Sequence, residues 1–162
     1  MNIFRIFLLL GCCVCSEAYS CSFARVLEPF IVDGSSEMVP KIPDFEVLSI
    51  SRGERGDAGM CADAGTLTLV SKNLDGENGF IFEIEEGEYD VGLFPNQPVI
   101  LVERFAAKAE YFFVWLDGNT KEQEPIDILV KITAISKSGN LSEPQYLRVF
   151  HPGVQKSWWE FW

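Results

Sequence analysis

The residues of this chain whose types and spacing could do chemistry are a lone histidine, two acidic clusters, a pair of well-separated cysteines and a tryptophan-rich end. His151 stands just before Pro152-Gly153. A Ser-His-Asp or Cys-His machine needs its imidazole within a hydrogen bond of a nucleophile in a concave site. A position after the last strand seldom provides that, so His151 is read as solvated or capping and no catalytic residue is assigned. Glu85, Glu86, Glu88 and Asp90 form one acidic group, and Asp117 with Asn119 another. Calcium takes about six to eight converging oxygens; neither group has EF-hand spacing, and Asp117-Gly118-Asn119 is first of all turn chemistry. No metal and no cofactor are therefore expected. A hydrolase built on two carboxylates across a cleft, drawn from Glu85 to Asp90, stands as an alternative.

The cysteines depend on the N-terminus. Arg5 opens Met1 to Ser20, and the apolar run Ile6 to Cys15 is shorter than the ~20 residues a bilayer span requires. The stretch reads as an export signal, with Ala18 and Ser20 in the small-residue spacing of a cleavage site. Cleavage there leaves Cys21 and Cys61, which an oxidising compartment would join. The bridge would close a loop of about 40 residues and contribute about 3 to 4 kcal/mol by restricting the unfolded chain. The competing reading takes Leu9-Leu10-Gly11-Cys12 as a lipoprotein box with Cys12 lipidated; simple cleavage is favoured, because Leu10 is bulky and the preceding apolar run is short. In the tail, Trp158, Trp159, Phe161 and Trp162 either fold back over an open edge or present a partner-binding surface.

The formal net charge is −11. An acidic surface repels nucleic acid and anionic membranes. Apolar content of 48% with 13 Phe permits a real core.

The elements that must position these groups read as short strands. In Ile126 to Phe150, Ile126, Ile128, Val130, Ile132 and Ala134 share one face, with Asp127, Lys131 and Thr133 on the other. The turn Ser136 to Asn140 follows, and Leu147 and Val149 resume the alternation. Upstream, Phe45, Val47 and Ile50 predict a strand with a bulge at Leu48. Leu67 and Leu69 mark the next strand, then a turn at Asp75 to Gly79, then Phe80, Phe82 and Ile84 opposite Glu83 and Glu85. Pro98 to Val102 is a short apolar run. Tyr111 to Trp115 is apolar at every position, which predicts cover on both faces. Val102 to Glu110 is the one helical candidate. Residues 22 to 43, with Pro29, Pro40 and Pro43, read as an extended arm.

About seven short strands punctuated by Gly, Pro and Asn turns describe an all-β antiparallel sandwich. The run from Phe112 through Ile126 to Pro144 resembles the second half of a fibronectin type III domain, and Gly139-Asn140-Leu141-Ser142-Glu143-Pro144 is similar to the phrase that precedes the last strand in that family. Ser136 stands where the family carries an acidic residue. Phe80 and Phe82 occupy the early strands, where the family usually has a Trp. The resemblance spans residues 42 to 150 and implies an immunoglobulin-like fold with a recognition or spacer role; it implies no chemistry. The expected organisation is a signal peptide (1–20), an arm (21–43), the sandwich (44–150) and an aromatic tail (151–162). The expected protein is a non-enzymatic, periplasmic or secreted monomer that binds a protein or glycan, without a transmembrane segment when mature. A lipid-anchored envelope protein is the other alternative.

Overall fold

The computed structural model describes residues 26–34, 38–53, 63–73, 77–87, 89, 92–118 and 123–153. Among these residues, eight strands form two antiparallel sheets. The larger has the order β1-β5-β4-β7-β8, with β1 at Leu27–Pro29, β4 at Gly79–Glu86, β5 at Val99–Leu101, β7 at Ile126–Ile135 and β8 at Gln145–His151. The smaller has the order β2-β3-β6, with β2 at Phe45–Ser51, β3 at Ala64–Ser71 and β6 at Glu110–Leu116.

Strand β7 carries the larger sheet. Ile126, Ile128, Val130, Ile132 and Ala134 are all buried, because the two-residue period of a strand sends every second side chain between the sheets. Phe45, Phe80 and Tyr111 meet across the interior with edge-to-face rings 5.0 to 5.6 Å apart, the geometry that aromatic quadrupoles favour. The bulge in β2 falls at Leu48, between the pairs Val47–Leu69 and Ser49–Thr68. The extra residue turns Leu48 outward and lets Ile50 return to the inner face, opposite Leu67.

The phrase after β7 has a structural reason for its composition. Gly139 takes a φ of 86° to close the turn, and its N–H donates to Ser136 O; that left-handed backbone is costly for any residue with a Cβ. Ser142 then accepts the Ala134 N–H on its Oγ, while its own N–H donates to Ala134 O. The chain is thereby held against β7 before β8 begins. At the start of β8, the Gln145 side chain receives the Phe45 N–H and donates to Phe45 O, both at 2.8 Å. One amide therefore joins the two sheets along this edge.

Two expectations need correction. Among the described residues the strand count is eight, because the arm is not merely laid on the domain: β1 pairs with β5, and the Asp33 and Gly34 N–H groups donate to Lys137 O. The helical candidate within Val102 to Glu110, expected to make one or two turns at most, needs no correction: it is the single turn α1, Glu103–Ala106, and Ala109 with a φ of 57° turns the chain into β6. Cover on both faces of β6 is incomplete: Tyr111, Phe113 and Trp115 are buried, Phe112 and Val114 half-buried, and Leu116 is 75% exposed. The last strand also includes His151. Among the described residues, no helix is long and apolar enough to cross a membrane.

Candidate functional site

The ends of β2 and β6 lie on either side of the start of β3, and a buried ion pair joins them there. Arg52 follows β2 and Asp117 follows β6. The guanidinium engages the carboxylate through two bonds, Nε to Oδ2 at 2.8 Å and Nη2 to Oδ1 at 2.9 Å, and both side chains are almost wholly buried. Three further donors reach Asp117: the Gly53 N–H at 2.7 Å, Trp115 Nε1 at 3.0 Å and the Tyr89 hydroxyl at 3.2 Å. Arg52 Nη1 donates in turn to Glu124 O, and Gln123 Nε2 donates to Gly53 O. The cluster thus fastens both sheets and the β6–β7 connection at one end of the sandwich.

Burial works against ionisation of Asp117, but the bonds from Arg52, Gly53 and Trp115 outweigh it and hold its carboxyl below the ordinary value of 3.8. Burial, together with the Asp117 charge, pushes the Tyr89 hydroxyl up to about 12. Five donors on a carboxylate with about four lone-pair positions leave none free to take a proton from a substrate.

His151 ends β8 on its inward-facing register, opposite Ile126, near this cluster. Burial and the Arg52 charge lower its pKa, against the opposing pull of Asp117. Its Nδ1 accepts the Gly153 N–H at 3.1 Å, so it caps the chain leaving β8. Glu85 and Glu86 are exposed on β4, whereas Glu88, Asp90 and Asn119 lie outside the described residues. Asp117, read from sequence as turn chemistry with a calcium alternative, is committed to Arg52. No group of three or more metal-ligating side chains occurs among the described residues. Cys12, Cys21, Cys61, Trp158, Trp159, Phe161 and Trp162 also lie outside the described residues.

Tyr89 connects the cluster to an open cleft. Strand β4 is eight residues long, but β5 pairs with it only at Phe80, opposite Val99. The far side of the strand then parts from the following chain, leaving a cleft of about 410 Å³. Ile81, Glu83 and Ile84 form one wall, Gly92, Pro95 and Asn96 the other, with Phe82, Phe94 and Tyr89 among the remaining lining residues. Phe94 reaches inward to stack on Phe82 at 5.7 Å and meets Phe113 edge-on at 4.9 Å, which anchors the second wall. Sequence reading singled out neither the ion pair nor the cleft as a site. The ion-pair partners are 65 residues apart, and the only local signal for the cleft was the loop Pro95 to Pro98 after a strand longer than the one that follows. Comparison with protein-family models, with curated proteins and with solved structures finds no match.

Proposed function

We propose that this chain is a non-enzymatic binding module that works outside the cytoplasm, in the periplasm or as a secreted protein, on a fibronectin type III-like, immunoglobulin-like sandwich. The order β2-β3-β6 facing β5-β4-β7-β8 supports the fold reading, since it corresponds to strands A, B and E packed on C′, C, F and G in the lettering of such sandwiches. The early-strand Trp of that family is absent, and the Trp of the sandwich is Trp115 on β6, whose indole lies over Gly65 of the neighbouring strand.

One observation carries the functional reading: the buried carboxylate beside the cleft is fully occupied by structural donors, while the cleft itself is open and lined by aliphatic and aromatic side chains with Glu83 and Asn96. A cleft of that volume is in the range ligands use. The apolar, Arg5-led N-terminal stretch supports export, with Cys21 joined to Cys61 in the mature protein. The aromatic tail supplies a second contact surface or a cover for an open edge. The test is binding of the exported chain to envelope extracts and to a glycan panel, with and without residues 157 to 162. Saturable binding supports the module reading; indifference to every extract and glycan removes it.

A further inference from the structure

Strand β4 has two edges, and only one is paired along its length. Toward β7 the register runs from Gly79–Ile135 to Glu86–Leu129. Toward β5 it holds one pair, Phe80–Val99. From Ile81 onward the second edge borders the cleft, and among the described residues no backbone group of the 92–97 segment hydrogen-bonds to it. An exposed row of N–H and C=O groups is a template for another strand. The bulge between Ile84 and Glu86 ends that row and bends the strand, as bulges do beside binding sites.

The charged residues of β4 itself have one sign. Glu83, Glu85 and Glu86 are exposed along β4, and the opposite wall, Gly92 to Pro98, carries no charged residue. Lys131 of β7 lies 3.3 Å from Glu83 and also acts on Glu85, and Arg148 of β8 acts on Glu86; these cations stand on the β7 side of the strand, and none of the residues lining the cleft is basic. An incoming strand would bring its backbone to β4 and its cationic side chains to these carboxylates, an arrangement in which backbone bonds supply affinity and charge supplies orientation and selectivity.

We propose that the open edge of β4 binds an extended basic polypeptide by strand addition, with alternate apolar side chains entering the cleft against Tyr89 and Phe94. This deepens the binding-module reading and rests on it.

The experiment uses the isotopically labelled full chain and an acetylated, amidated hexapeptide of alternating Lys and Val. Amide shifts should change in Ile81 to Glu86 and Gly92 to Asn96. The same peptide N-methylated at every residue should bind at least tenfold more weakly, and so should a Glu-Val peptide. Gly92→Trp should weaken binding at least tenfold with the rest of the spectrum retained, because a side chain at Gly92 meets nothing within 4 Å and can fill the cleft without strain. Glu85→Lys combined with Glu86→Lys should weaken it similarly. Equal affinity for the N-methylated peptide, shifts confined to another face, or no binding by the Lys-Val peptide would each overturn the proposal. If the chain still binds an envelope extract or glycan in those cases, only strand addition fails; if it binds nothing, the module reading fails as well.

Discussion

Gly65 and Trp115 are direct cross-strand partners in β3 and β6, and the indole of Trp115 occupies the space that a Cβ at Gly65 would need. A missing side chain on the central strand therefore lets the largest one on its neighbour lie across it. From that position the indole N–H reaches Asp117. Glycine weakens a strand interior by itself, so its place here follows from the close approach. Gly65→Ala should destabilise the chain by about 1–3 kcal/mol through overpacking, measured as a lower urea midpoint with an unchanged slope.

The Arg52–Asp117 pair should behave as a buried pair does when one partner is lost. Asp117→Ala leaves the guanidinium buried and uncompensated and should cost about 3–5 kcal/mol. The double variant Arg52→Met, Asp117→Ala should cost clearly less than the sum of the two single variants, because the second change removes the orphaned charge. Additive costs in a double-mutant cycle would mean that the two groups do not interact.

Acid should weaken the fold in two stages. The pKa of His151 is lowered from 6.5, so its neutral form belongs to the folded state. Its contribution is present above 6.5 and is lost as pH falls through the lowered value. Asp117, depressed from 3.8, contributes above 3.8 and loses that contribution at still lower pH. His151→Gln should abolish the first stage and leave the second, as followed by denaturant midpoints across the acid range.

At alkaline pH the sign reverses. Tyr89 is raised from 10.0 to about 12, so its stabilising contribution is complete below 10 and disappears as pH climbs to 12. Tyr89→Phe should flatten that decline, with the phenolate absorbance of the parent chain locating the transition.

Tyr111 is completely buried, and its hydroxyl has no hydrogen-bond partner. Burial alone pushes its pKa far up. An unsatisfied buried hydroxyl costs on the order of 1 kcal/mol or more, so Tyr111→Phe should raise stability by about that amount. A fall in the thermal midpoint would point to a partner for the hydroxyl.

Much of the fold was legible because strand period and turn chemistry are local. The inward set of β7, the bulge at Leu48 and the turn at Gly139 each follow from residues within a few positions of one another. The site was less legible because its parts are distant. Asp117 looks like turn chemistry until Arg52, 65 residues earlier, is brought beside it, and Trp115 looks like one more aromatic until Gly65 is placed opposite. The β1 strand was hidden by its length, three residues ending in a proline, which suits an edge position and little else. The cleft is a mismatch between two strand lengths, a property of their pairing that neither strand carries alone.

Strand addition at β4 requires its second edge to be open, and amide hydrogen exchange in the intact chain measures this residue by residue. Along an antiparallel strand successive N–H groups point to opposite edges. Alternation is therefore expected from Ile81 to Ile84: slow exchange at the amides that face β7 and fast exchange at those that face the cleft, with Leu129 to Ile132, paired on both sides, slow throughout. Uniformly slow exchange across Ile81 to Ile84 would show the edge already paired and would contradict strand addition there.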